Sequence, residues 1–197
     1  MNKALLVDVI PFDIPPAQIN ESMHKNGGRL IVKGVLQRAE LKNQNGRIYP
    51  RDILVREAKK YANEFISQRR AMGELDHPDS SVINLQNVSH NILEVHWDGD
   101  DLLGSVEVLG TPAGNILKEL FKAGIKLGIS SRGLGSIQQE GSANTVQSDY
   151  ELIGFDFVSN PSTQGAFLKP MNESKTHQQT DKWYEVEEDI RNILAGE

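Results

Sequence analysis

Gly128-Ile129-Ser130-Ser131-Arg132-Gly133-Leu134-Gly135 is the stretch on which the reading of this chain turns. Leu127 to Ser130 has the aliphatic character of a strand, and glycines interrupt the residues beyond it. The glycines at 128, 133 and 135 predict a tight turn around the serine pair, with backbone amides able to approach a bound carbonyl or anion. Neighbouring strand residues point to opposite faces, so only one of Ser130 and Ser131 can meet a given partner. Two other readings fit the spacing. One is a phosphate-cradling loop, although the P-loop lysine is missing and the glycine spacing is not that of a dinucleotide site. The other is a plain glycine-rich hairpin with two turn serines.

A nucleophilic serine needs a base to take its proton and a third group to orient that base. Upstream, Gly73-Glu74-Leu75-Asp76-His77-Pro78 supplies a histidine, and the flanking aspartate and proline bias the backbone toward an extended loop. Downstream, Phe155-Asp156-Phe157-Val158-Ser159-Asn160-Pro161-Ser162 places a carboxylate on an otherwise apolar strand, facing away from its two phenylalanines. A buried carboxylate needs a partner, and His77 is a candidate; the alternative is an edge strand with Asp156 in water. Histidine, serine and acid in that order suggest a serine peptidase outside the best-known folds. Glu74, Asp76, His77 and Asp79 also raise a metal site, but no histidines pair at helical spacing and such a loop is more often solvated. His90 and His96 share a strand face ~20 Å apart, too far to share a metal. His90, beside Ser89, is a spare candidate for the third catalytic position.

The 197 residues fit one domain with short appendages. A net charge of −6 and a pI near 5.4 argue against a general nucleic-acid binder, which needs a basic face for phosphates. With no cysteine, thiol catalysis, disulfides and thiolate metal sites are excluded. The opening Ala4-Leu5-Leu6-Val7 is too short for a signal peptide, and no later run approaches a membrane span. Residues 1–28, with Pro11, Pro15, Pro16, Gly27 and Gly28, read as an extended N-terminal arm. Residues 29–170 read as the main domain. Within it, Leu30–Leu36 predicts a strand, Asn43–Gly46 a turn, and Pro50 with Asp52 opens a helix striped by Leu54, Ala58, Tyr61 and Phe65. Val88–Trp97 and Leu102–Leu109 predict a hairpin, and Thr111-Pro112 starts a short helix burying Ile116, Leu117, Leu120 and Phe121. Residues 171–197 read as a polar linker and a short acidic helix.

These segments, with Asn45-Gly46-Arg47-Ile48-Tyr49-Pro50, resemble the prohead core protein proteases of tailed bacteriophages, the capsid-maturation serine peptidases related to herpesvirus assemblins. Four motifs run in the family's order. The resemblance implies an α+β fold with a herpesvirus-protease-like β-barrel core surrounded by helices. It implies Ser130 as nucleophile, His77 as base and Asp156 as orienting acid, at the position where the herpesvirus relatives carry a histidine. For the oxyanion hole two alternatives stand open, amides around Arg132 and Gly133 or amides in the loop from Asn160 to Gly165, and Arg132 is alternatively a brace for that loop or a contact for an acidic substrate. No cofactor or metal is expected, and neither nucleic acid nor membrane is expected as a partner. The implied substrates are phage scaffold or core proteins and capsid protein, cut after glutamate inside the assembling prohead in the host cytoplasm; a homo-oligomer stays open.

Self-cleavage is also implied, at a glutamate preceded two residues earlier by leucine or isoleucine. Ile19-Asn20-Glu21 fits, inside a stretch expected to be accessible, and makes Glu21 the candidate. Ile92-Leu93-Glu94 and Leu117-Lys118-Glu119 fit as well, but fall in a predicted strand and helix. Two rivals remain: a catalytically silent scaffold or capsid-core binding protein, against which the intact Ser130, His77 and Asp156 set argues, and a metal-dependent hydrolase built on Glu74, Asp76 and His77.

Overall fold

The computed structural model describes residues 3–76, 80–141 and 143–159. In chain order these form β1 (Ala4–Phe12), α1 (Pro16–Lys25), β2 (Leu30–Arg38), β3 (Arg47–Ile48), α2 (Arg51–Tyr61) with a π-helical turn at Ala62–Ile66, and β4 (Met72–Glu74). Next come β5 (Val88–Asp98), β6 (Asp101–Val108), α3 (Pro112–Lys122), β7 (Leu127–Gly135), β8 (Ile137–Glu140), β9 (Ala143–Val146) and β10 (Glu151–Val158).

Local chemistry accounts for most of these boundaries. Pro16 opens α1, where a missing N–H costs nothing. Thr111 caps α3 by accepting from the Gly114 N–H at 3.0 Å, and Gly124, at φ +72°, ends it. Gly99, at φ +55°, turns β5 into β6. α2 buries Leu54, Ala58 and Tyr61 of the expected stripe together with Ile53 and Glu57, while Ala62 and Phe65 fall in the π-helical turn and are not fully buried. In α3, Leu117 and Phe121 are buried, but Ile116 is mostly exposed, because it projects to one side of the stripe that faces the core.

The strands divide among three sheets, with orders β1-β7-β10, β2-β6-β5-β4 and β3-β9-β8. The first two share one apolar core, into which Leu6, Phe12, Leu36, Ile92, Val106, Ile129, Phe155 and Phe157 all insert. Their edges adjoin. At one side a single bridge joins Leu75 to Phe157 and the Asp76 N–H bonds the Phe157 carbonyl at 2.8 Å. At the other, Phe12 of β1 packs against Gly34 of β2, but no ladder forms between these strands among the described residues. The fold is thus mixed α+β, and the expected barrel is not closed.

Two expectations are corrected. Residues 1–28 are not an extended arm. β1 pairs with β7 over Ala4–Phe12 in continuous register, and Leu6, Phe12, Ile14 and Ile19 belong to the core, so burial overrides the proline-rich look of the segment. Nor do the glycines of 128–135 make a turn: β7 runs straight through them as the middle strand of its sheet. Gly133 is needed for another reason, since a Cβ there would collide with the Tyr150 ring. The linker and helix expected at 171–197 lie outside the described residues.

Candidate active site

The two faces of β7 separate the adjacent serines. Ser131 looks toward the core, where its Oγ accepts from Gln37 Nε2 at 2.7 Å and lies 3.4 Å from the Asp8 carbonyl. Ser130 looks the other way and stands directly opposite Asp156 on β10. Its side chain is fully buried, and its Oγ has no hydrogen-bond partner among the described residues.

Three charged side chains, all fully buried, share the surroundings of that face. Arg132, two residues along β7, donates through Nε to Asp156 Oδ2 at 2.9 Å and through Nη2 to Oδ1 at 3.3 Å. Asp156 Oδ1 also accepts the Glu74 backbone N–H at 3.0 Å. The Glu74 carboxylate stands 4.0 Å from Arg132 Nη2, its Oε1 accepts the Asn84 N–H at 2.8 Å, and its Oε2 has no partner among the described residues. Burial pushes the Asp156 carboxyl above the usual carboxylate range, against the opposing pull of Arg132.

His77 and Asn160 lie outside the described residues. Their described neighbours are anchored here. Asp76 hydrogen-bonds Phe157 and takes the left-handed conformation at φ +64°, a strained state for a non-glycine residue. On the other side of His77, the Ser80 carbonyl accepts from Arg132 Nη1 at 2.6 Å. Arg132 and Gly133, expected in an oxyanion or substrate loop, are instead interior strand residues flanked by β1 and β10, and the Arg132 guanidinium is committed to Asp156 and Ser80.

His90 is buried between Ser89 Oγ, 2.8 Å from Nδ1, and the Phe155 carbonyl, 3.0 Å from Nε2. Desolvation lowers its pKa to about 4, leaving a neutral ring that joins β5 to β10. His96 is exposed, because a register shift between Ile92 and Glu94 breaks the alternation that would have put it on the same face as His90. Glu21 sits in α1 and ion-pairs with Lys25. A protease needs an extended strand, so helical packing removes the accessibility on which Glu21 was chosen.

Residues 7–176 match the family described as prohead core protein serine proteases. The chain belongs to that family. It is 33% identical over 153 residues to the prohead core protein protease of Enterobacteria phage T4, covering 75% of this chain and 72% of that protein. It is also similar to the solved structure of the bacteriophage T4 capsid assembly protease, with a TM-score of 0.69 and 29% identity over 80% of this chain and 99% of that one. The family is one of peptidases, and the sequence resemblance is confirmed at that level.

Within this family member, the Asn45–Pro50 motif has a structural task that sequence reasoning left unassigned. Arg47 Nη1 reaches Asp8 Oδ1 at 2.9 Å, Asn45 Nδ2 reaches it at 2.7 Å, and the Tyr49 hydroxyl donates to Oδ2. This network fixes β1, and β1 backs the serine strand. Arg132 as the counter-ion of Asp156 was also missed. The signal for it was register: a strand residue two from Ser130 faces the same way as Ser130 itself.

Proposed function

We propose that this chain is a serine endopeptidase that cleaves scaffold or core proteins and capsid protein within the assembling prohead, in the host cytoplasm. Family membership and the names of its relatives support the process. One observation carries the residue assignment: Ser130 Oγ is buried, has no hydrogen-bond partner among the described residues and lies across from Asp156, whereas Ser131 Oγ is occupied.

In this reading Ser130 Oγ adds to the scissile carbonyl as His77 takes its proton. His77 then gives the proton to the leaving amine, and water releases the acyl group by the same route. The anchoring of Asp76 to the edge of β10, and of Ser80 to Arg132 on the Ser130 face, supports His77 as base. Asp156 is the orienting acid, held in place by Arg132 and the Glu74 N–H.

The cyclic succession β1-β7-β10-β4-β5-β6-β2, with adjoining edges, supports reading the core as an opened relative of the herpesvirus assemblin barrel. Cleavage after glutamate is part of the proposal, and self-cleavage at Glu21 is not.

The test is co-expression with a phage scaffold protein, with intact masses of both chains. Wild type should shorten the scaffold and Ser130→Ala should leave it whole, with a fluorophosphonate labelling only the wild type. Processing that survives Ser130→Ala and stops with a chelator would replace the serine mechanism with the metal one.

A further inference from the structure

Val82 and Leu85 are the most exposed large apolar side chains among the described residues, at 72% and 69%. Both lie in one short segment, Ser80–Asn87, between β4 and β5. A loop carrying such residues at random would be loosely held, and this one is not. Val82 N–H bonds Ser80 Oγ at 3.0 Å, Gln86 N–H bonds Asn84 Oδ1 at 3.1 Å, and Asn87 N–H bonds the Asn84 carbonyl at 3.0 Å. The segment is further tied to the body at three points: Ser80 to Arg132, Asn84 to Glu74, and Asn87 to the Leu75 N–H.

Two of those three ties end on the buried charges beside Ser130. Arg132 and Glu74 are wholly desolvated, a state that costs about as much as their mutual attraction returns, so stability alone does not account for them. What they do accomplish is to hold a surface loop in register with the serine. Ser80 caps Arg132, and Arg132 is two strand residues from Ser130, about 7 Å along β7. The loop is therefore held through Ser80 and Asn84 to the charges beside Ser130, and it presents two aliphatic side chains to water.

We infer that Ser80–Asn87 is the peptide-binding edge of this site, where Val82 and Leu85 receive an aliphatic side chain of an extended substrate close to the scissile bond. The inference rests on the proposed peptidase reading and adds to it the element that selects the substrate. Arg132 and Glu74 serve it as positioning residues.

The test separates binding from catalysis. Full-length Ser130→Ala is titrated with a fluorescein-labelled peptide containing Ile-Asn-Glu-Ala and with its Ala-Asn-Glu-Ala counterpart. The same titrations are made with Val82→Ser and Leu85→Ser added together. The parent should prefer the isoleucine peptide by about tenfold, and the double change should erase that preference. In the otherwise wild-type chain the same two substitutions should raise KM about tenfold at unchanged kcat, the signature of lost uniform binding. Equal preference in parent and variant, or an unaltered KM, overturns the inference. If the wild-type chain cleaves nothing, the catalytic reading fails, and the titrations still decide whether this loop binds peptide.

Discussion

Arg132 Nε lies 2.9 Å from Asp156 Oδ2, and neither side chain reaches solvent. A buried pair of this kind is costly to break from one side, because the remaining charge keeps its desolvation penalty without its partner. Arg132→Met leaves Asp156 and Glu74 facing each other and should lower stability by about 3–5 kcal/mol in urea unfolding. Arg132→Lys should recover only part, since a point charge cannot span both carboxylate oxygens as the Nε and Nη2 fork does. A loss under about 1 kcal/mol in Arg132→Met would mean that the carboxylates are not charged in the fold.

The two serines should behave oppositely. Ser130→Ala removes a hydroxyl that bonds no described group, so stability should hold while proteolysis stops. Ser131→Ala strands the buried Gln37 amide and should cost about 1–2 kcal/mol with substrate still processed. Reversal of this pattern would move the nucleophile to Ser131.

His90 should make the fold sensitive to acid. Its pKa is about 4 when buried and 6.5 in the reference state, so between those values the unfolded chain binds a proton that the folded chain refuses. Stability should therefore fall as pH drops from about 6.5 to 4, by roughly 3 kcal/mol in all, with no further loss from this residue below that. Unfolding midpoints followed across the window should show this slope in wild type and a flatter one in His90→Gln. Equal slopes would assign the acid sensitivity elsewhere.

The first strand should be indispensable. Asp8→Asn keeps the shape but removes the charge that Arg47 and Tyr49 meet, and should cost about 3 kcal/mol or more. Deletion of residues 1–21 should abolish the folded state altogether, as read by circular dichroism. A stable, active truncated chain would restore the detachable arm expected from the prolines.

Period-3.6 patterning made α2 and α3 legible in the sequence, because each buries one main stripe, and the β5–β6 hairpin was legible from its turn at Gly99 and from the alternation of β5 beyond the shift at Ile92. β1 was hidden by Pro11, and by an aspartate whose three polar partners lie more than thirty positions away. The glycines of β7 misled for a related reason. Glycine marks either a turn or a close approach, and only the location of the Tyr150 ring distinguishes them. At the site, motif order grouped Ser130 with Asp156, and strand register sets the two directly opposite each other. The Arg132 contact to Asp156 was legible only once β7 was known to be a strand, and the Glu74 contacts were not readable, since nothing local to Glu74 names its partner.

Sheet order has a temporal meaning as well. Ser131 and the Asp8 carbonyl it meets are 123 residues apart, and the strand opposite Ser130 ends only at Val158. A chain growing from the ribosome cannot assemble the serine, its backing strand and its facing acid until nearly all of these residues have emerged, and closing so long a loop is slow. The proposed nucleophile and its facing acid therefore meet only after β1, β7 and β10 have all been made, so the assembled face is one of the last features of the described fold to form.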